Sequence, residues 1–175
     1  MGLFKHSKAH LVTAAFGMAA GLILGLLCAF WTGAEVLSGL TAKLAAYLQS
    51  PLPSEGGLWL EALVKQLRVG VILWLLAFWP PASVLAYAVC AAKTFGAGFV
   101  IGLWGHAFGA GIHQVLLLIG LPLLVVLPAM AVLTAANRLY AAGRLDMRGY
   151  LAAGGIYAAA ALLASLMEAF LLPII

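Results

Sequence analysis

The chain has 175 residues and a formal net charge of +4, and 66% of its residues are hydrophobic while only 8% are charged. Ordinary soluble domains are about one-quarter charged, and the mean hydropathy here is +1.15. This composition excludes a soluble globular domain and predicts an all-α, polytopic bundle in a lipid bilayer. The basic residues are scattered singly, so the positive charge does not indicate nucleic-acid binding and instead marks membrane orientation.

The first apolar run predicts a membrane span over 11–31. Lys5 and Lys8 precede it, which places the N-terminus in the cytoplasm by the positive-inside rule. Three glycines recur every four residues along this span and therefore share one helix face: Gly17, Gly21 and Gly25. Such a smooth face lets a second helix backbone come close. The second helix can belong to this protein's own bundle or to a partner, and the sequence leaves both open.

The main polar region follows the first span and covers 34–65. Apolar residues recur at helical spacing in its first half, with Glu35, Ser38 and Lys43 elsewhere around the helix. This pattern predicts an amphipathic helix lying on the outer membrane surface. A turn and a short second helix then lead back to the bilayer.

The middle of the chain predicts three further spans, over 68–90, 94–112 and 114–136. Prolines interrupt the first and the third of them: Pro80, Pro81, Pro122 and Pro128. Proline removes a helical hydrogen bond and clashes with the preceding turn. We therefore expect kinked or unwound segments there, in places where protein covers the freed carbonyl groups.

Two features of the second of these spans are candidates for function. Gly98 and Gly102 repeat the spacing of four seen in the first span, which predicts a second helix-packing face. Lys93 falls between two predicted spans. Its expected place is the cytoplasmic interface, where a long side chain reaches the headgroups.

The last span is predicted over 149–172. The loop before it is flanked by Arg138, Arg144 and Arg148, which indicates a cytoplasmic loop. An odd number of crossings must lie between the outward first span and this inner loop, and three fit the length. The prediction is therefore a plasma-membrane protein with five spans, a cytoplasmic N-terminus and an external C-terminus.

Glu168 is an isolated carboxylate in the last apolar run. It lies about 28 Å along the final helix from Gly149, at 1.5 Å per residue, and so near the outer face of a core about 30 Å thick. It is either an interfacial residue reaching water or a carboxylate facing the bundle. His106 and His113 are its candidate partners in the second case.

The order of these features resembles the stage II sporulation protein M family of endospore-forming bacteria. The resemblance rests on a glycine-striped first span, "LWLLAFWPP" leading to "KTFGAGFVIG", the two-proline span "GLPLLVVLPAM" and the ending "LMEAFLLP". The chain departs from the family at Thr94, where a glycine is usual, and at Leu123–Leu124, where Gln-Asn is usual.

The resemblance implies a membrane scaffold rather than an enzyme. It implies that the chain localises peptidoglycan-cutting partners, the stage II sporulation proteins D and P, in the engulfing septal membrane. Membrane lipid is the other expected partner, and a homo-oligomer remains open.

The residues leave two other classes of function open. A small transporter or permease subunit would use the proline-broken helices around a midplane site, and this alternative gains weight if Lys93 lies deep and paired. An intramembrane enzyme would need two polar groups at matched depth, with Glu168 and His106 the one conceivable pair. The sequence contains no HExxH, GxSxG, Walker or CxxC motif, so we expect no enzymatic activity, no cofactor and no metal.

Overall fold

A computed structural model describes residues 2–49, 55–108 and 119–171, and most of these are helical, with no strand among them. The six helices are α1 (Gly2–Trp31), α2 (Ala34–Gln49), α3 (Glu55–Leu75), α4 (Leu85–Phe108), α5 (Leu121–Ala141) and α6 (Met147–Leu171). Two short 3₁₀ turns, Leu76–Phe78 and Ala82–Val84, join α3 to α4. The predicted helical bundle is confirmed.

Four helices in the described residues are long and apolar enough to cross a membrane. They contain the stretches Ser7–Trp31, Ala82–Gly105, Leu121–Ala141 and Met147–Phe170. The sequence predicts five spans, and the difference lies in α3. Glu61, Lys65 and Arg68 occupy the first two-thirds of α3, and only the part beyond Arg68 is continuously apolar.

Contacts between the helices fix their relative directions. Gly21 lies against Ala91 and Gly25 against Phe95, so α1 and α4 run parallel. Cys90 contacts Thr134 of α5, and Ser83 contacts Arg138 one turn further along α5, so α4 and α5 run antiparallel. Gln66 contacts Glu168 and Trp74 contacts Tyr150, so α3 and α6 also run antiparallel. Helices α1, α4 and α6 therefore point one way, and α3 and α5 point the other way.

The boundaries in the middle of the chain differ from the predicted ones. A single span over 68–90 was expected, but α3 ends at Leu75 and α4 begins at Leu85, so that stretch is divided between two helices. Pro80 and Pro81 lie at the turn between them and are exposed. The predicted span over 94–112 corresponds to the second half of α4. Two consecutive prolines thus separate helices instead of kinking one.

Side chains from other helices satisfy the backbone that this proline turn leaves open. The last carbonyls of a helix have no partner within it. Asn137 Nδ2 donates to the Leu73 carbonyl at 2.5 Å, and the Tyr150 hydroxyl donates to the Trp74 carbonyl at 2.6 Å. The Ser83 hydroxyl donates to the Pro80 carbonyl at 2.7 Å. The expectation that protein covers the freed carbonyls is met at these positions.

The other two prolines of the predicted kinks both lie in α5. Pro122 is buried in the first turn, where a helix needs no N–H donor, and Pro128 lies inside the helix on its exposed side. The short loop after α5 turns at Gly143, whose φ of 65° favours glycine. That loop closes the α5–α6 hairpin.

The predicted outer segment, 34–65, is made of two helices. Helix α2 makes only light contact with α4, and the first half of α3 lies beyond a stretch, 50–54, that is outside the described residues. The core is formed instead by α5 and its neighbours. Leu73, Met130, Leu133 and Tyr150 are among its fully buried side chains.

Candidate functional site

The glycine faces of α1 and α4 pack against each other. A methyl group on Gly25 would lie 2.8 Å from the Phe99 amide nitrogen, and one on Gly98 would lie 2.9 Å from the Leu22 carbonyl carbon. A methyl group on Gly102 would lie 2.7 Å from the Ala29 Cβ. Real Cβ contacts are longer than these, so only glycine permits the observed approach. We refer to Gly21, Gly25, Gly98 and Gly102 as the glycine interface.

Gly17 is the exception among the predicted packing glycines. A methyl group on Gly17 would meet no atom within 4 Å. It lies in an apolar groove of about 500 Å³ that runs between α1 and α4. Ala20 and Ala92 form part of this groove, and Phe16, Leu24 and Phe95 are its large side chains. We call it the Gly17 groove.

Glu168 faces the bundle, where its hydrogen-bonding partner is an amide on α3. The Gln66 Nε2 group donates to Glu168 Oε1 at 2.7 Å. Among the described residues Glu168 forms no direct ion pair, and two lysines, Lys93 on α4 and Lys65 on α3, are the cations whose charges act on its carboxylate. We call Gln66, Lys93 and Glu168 the polar cluster. Of the two interpretations of Glu168, this geometry matches the bundle-facing carboxylate.

Lys93 lies inside one continuous apolar helix and not between two helices, as the predicted spans had it. It is eleven residues from the start and twelve from the end of the apolar stretch Ala82–Gly105, or about 17 Å from either end at 1.5 Å per residue. The sequence-based boundary between two spans fell at this residue, which put Lys93 at a membrane surface. Because α4 is continuous through it, Lys93 instead lies in the middle of the apolar stretch Ala82–Gly105.

The expected histidine partners of Glu168 play no described part in the polar cluster. His106 lies in α4, but its side chain is outside the described residues, as is the whole of His113. Another histidine does make a described contact between helices. His10 Nδ1 and the Tyr87 hydroxyl are hydrogen-bonded at 2.7 Å, which joins α1 to α4.

A second group of polar and aromatic side chains lies beside the proline turn. Arg138 of α5 donates to the Ser83 hydroxyl and also interacts with Tyr87. Tyr140 and Tyr150 stack with ring centroids 4.7 Å apart. These contacts join α4, α5 and α6 beside the proline turn.

Gln66, Asn137 and Tyr150 were not predicted as important residues. Gln66 lies in a buried stripe at helical spacing, with Ala62 and Gly70 one turn away on either side. That stripe continues through Leu73 to Ala77, and a predicted boundary at 68 cut it in two. An amide at a core position of an apolar stripe is the signal that would have identified Gln66.

In the described parts of the chain, no group of three or more His, Cys, Asp or Glu side chains is placed to hold a metal ion. No family model, curated protein or solved structure matches this chain.

Proposed function

We propose that this protein is a membrane scaffold that holds partner proteins by packing helices in the bilayer. The observation that carries the proposal is the Gly17 groove. Most of the glycine stripe on α1 is covered by α4, but a methyl group on its first member, Gly17, would meet no atom within 4 Å. The hydrophobic effect does not drive helices together in lipid, so a floor of small residues favours a partner helix that packs closely.

The groove has the composition that such contacts use. Gly17, Ala20 and Ala92 leave the backbone accessible, and Phe16 and Phe95 form walls beside it. Phe16 is 76% exposed, which leaves a large apolar side chain free for a neighbour. The occupant that fits is a single transmembrane helix with small residues on one face.

The proposed topology is the five-pass one. Helix α3 runs antiparallel to α6 and beside it, which is the direction that a fifth crossing between α2 and α4 requires. The three arginines at the α5–α6 loop favour the cytoplasm for that end of the bundle. The N-terminus is then cytoplasmic, and α2 and the end of α6 are outside.

The proposed partners are membrane-anchored enzymes that cut peptidoglycan. This identity comes from the resemblance to the stage II sporulation protein M family, whose partners are the stage II sporulation proteins D and P. A plasma-membrane location, and the engulfing septum in a sporulating cell, follow from the same resemblance.

The test is co-purification of the tagged protein from native membranes, with Gly17→Leu compared with Gly96→Leu. Gly96 is a matched control, since it is exposed on α4 and a methyl group there also meets nothing within 4 Å. Gly17→Leu should release the hydrolases, and Gly96→Leu should retain them. Retention of the hydrolases by both variants would contradict the proposal.

The depth of Lys93 favours one second candidate, a small transporter or permease subunit. Charged side chains in a membrane span are rare and often mark a substrate or ion pathway. Solute uptake by proteoliposomes tests this candidate. Uptake by the wild-type protein that is lost in Lys93→Met would support a permease, and equal leakage with and without the protein would exclude it.

A further inference from the structure

Helix α3 carries an exposed arginine level with the middle of the α6 span. The Tyr157 ring of α6 lies against Gly70, and the Tyr157 hydroxyl donates to the Gln66 carbonyl at 2.8 Å. Tyr157 is ten residues from the start and thirteen from the end of the apolar stretch Met147–Phe170. Arg68 lies between these two contacts on α3 and is exposed. It is therefore about 15–20 Å from either end of that stretch at 1.5 Å per residue.

That depth is unfavourable for a cation without a partner. In the described part of the chain, Arg68 forms no hydrogen bond or ion pair, and its neighbour Lys65 is paired with Glu61 at 2.7 Å. Charged side chains inside a membrane almost always face protein or a water-filled cavity, where they pair with other groups. Long basic side chains reach the headgroups from near the helix ends. Because Arg68 is far from both ends, its position points to an acidic group on another molecule.

An apolar groove of about 300 Å³ lies beside Arg68, between α3 and α6. Val71 is part of its lining, and it lies one turn from Arg68 on the same face of α3. Gly155 and Ala158 line the groove from α6, and both are exposed. A methyl group on Gly155 would meet no atom within 4 Å. We call this surface the Gly155 groove.

The groove and the arginine together define an occupant. Small residues let a neighbouring helix approach closely in lipid, so Gly155 and Ala158 favour a helix that packs along the groove. Arg68 then faces that helix near the middle of the bilayer. A guanidinium donates two parallel N–H groups to a carboxylate, which is the side chain that matches it best.

A second copy of this chain does not supply the carboxylate. The sequence has five acidic residues. Glu61 lies about 10 Å from Arg68 along α3, and Glu168 lies two residues from the end of the apolar stretch of α6. Copies inserted in the same direction place each residue at the same depth, so neither carboxylate meets the arginine of the other copy. The other three lie in α2, at the first residue of α3 and before α6: Glu35, Glu55 and Asp146.

We propose that Arg68 and the Gly155 groove bind a transmembrane helix of another protein, one that carries an acidic residue near its middle. The helix packs on Gly155 and Ala158, and its carboxylate accepts hydrogen bonds from Arg68. This surface lies on α3 and α6, whereas the Gly17 groove lies on α1 and α4. It is thus a second binding face, and it depends neither on the Gly17 groove nor on the identity of the partners proposed above.

The test uses the full-length protein in phosphatidylcholine proteoliposomes and a synthetic transmembrane helix of leucine and alanine as the probe. One probe has a central glutamate, a second has glutamine there and a third has lysine. Affinity is read by resonance energy transfer between labelled protein and labelled peptide. We expect the glutamate peptide to bind about 5- to 30-fold tighter than the glutamine peptide, which corresponds to about 1–2 kcal/mol.

Substitutions of Arg68 test the charged contact. Arg68→Gln should remove the preference for glutamate, and Arg68→Lys should keep part of it. Arg68→Glu should reverse it, so that the lysine peptide binds more tightly than the glutamate peptide. Arg144→Gln is the matched control, because Arg144 is an exposed arginine in the loop between α5 and α6. Its preference for glutamate should equal that of the wild type.

Substitutions of glycine test the groove. Gly155→Leu fills the groove and should weaken the binding of the glutamate and glutamine peptides alike. Gly96→Leu on α4 should not, since a methyl group there also meets nothing within 4 Å. Gly17→Leu should leave peptide binding unchanged, which separates this inference from the scaffold proposal. Unfolding temperatures in micelles without peptide show that each variant is folded, and Gly155→Ala is the smaller change if Gly155→Leu is not.

Equal affinity of the glutamate and glutamine peptides for the folded wild-type protein would overturn the inference, as would a glutamate preference that survives in Arg68→Gln. Two other results would assign Arg68 to a different partner and would also overturn it. Loss of the preference in phosphatidylglycerol vesicles would assign Arg68 to a lipid headgroup. Energy transfer between labelled copies of the protein that Arg68→Gln abolishes would assign it to a second copy.

Discussion

The glycine interface and the polar cluster join neighbouring helices by opposite means. In the glycine interface, the backbones of α1 and α4 lie against each other, and they can approach so closely because glycine has no side chain. In the second, long side chains meet across helices and leave an acceptor unused. A backbone contact cannot adapt to a ligand, whereas a partly matched polar group can. The glycine interface therefore fixes the distance between two helices, whereas the polar cluster keeps an unused hydrogen-bond acceptor on Gln66.

The largest expected effect is at the glycine interface. Gly25→Leu would drive a side chain into the Phe95–Phe99 backbone, which cannot move aside without separating α1 from α4. We expect a loss of about 3 kcal/mol or more in the free energy of unfolding, at the upper end of overpacking effects. Unfolding by denaturant in mixed micelles measures it.

The control for that prediction is Gly96→Leu on α4, where no atom lies within 4 Å of an added methyl group. Its stability should stay close to that of the wild-type protein. Equal stability of Gly25→Leu and the wild type would show that α1 and α4 do not approach as closely as described.

The polar cluster should respond to loss of one charge more than to loss of both. Lys93→Met removes one of the two lysines, Lys93 and Lys65, whose charges stabilise the Glu168 carboxylate. Because Lys93 and Glu168 are only partly buried, we expect a loss of about 1–3 kcal/mol, below that for a fully buried pair. Combining it with Glu168→Gln should recover part of that loss.

A double-mutant cycle measures that recovery as a coupling free energy of about 0.5–1 kcal/mol or more. Strict additivity of the two substitutions would mean that Lys93 and Glu168 do not interact. Lys93 would then not belong to the polar cluster, and the comparison with the glycine interface would fail.

A smaller effect is expected at the proline turn. Tyr150→Phe removes the donor to the Trp74 carbonyl and leaves that acceptor unpaired. We expect a loss of about 1–2 kcal/mol. Tyr140→Phe is the matched control, because its ring stacks on Tyr150 while the described residues give its hydroxyl no hydrogen bond. Equal losses in the two variants would contradict the role assigned to the Tyr150 hydroxyl.

The smallest effect on stability is expected at Gly17. Gly17→Leu fills open space in the groove and should change the free energy of unfolding by about 0.5 kcal/mol or less. It should still disrupt partner binding. A large loss of stability would place Gly17 in the structural joint with Gly21 and Gly25, and the groove would no longer be a separate surface.

The sequence predicted the class of fold and four of the five packing glycines, all but Gly17, because hydropathy and a spacing of four are local signals. It did not predict where the middle helices end. Two prolines in an apolar run are compatible with a kinked helix or with a turn, and the choice depends on Asn137 and Tyr150, which are 50 or more residues away along the chain.

The same misplaced boundary explains what was missed in the polar cluster. With the outer segment ending at 65 and a span beginning at 68, Gln66 fell between the two and Lys93 at a membrane surface. Neither residue then had a reason to meet Glu168. The antiparallel pairing of α3 with α6 brings Gln66 to Glu168, and an unbroken α4 puts Lys93 inside a helix.

The most direct test of the scaffold proposal is photo-crosslinking in native membranes. A photoreactive amino acid is placed at position 20, in the Gly17 groove, and in parallel at position 96, on the exposed side of α4. We predict a discrete adduct with a membrane-anchored peptidoglycan hydrolase from position 20, lost in a Gly17→Leu background, and lipid adducts alone from position 96. Lipid adducts alone from both positions would contradict the proposal.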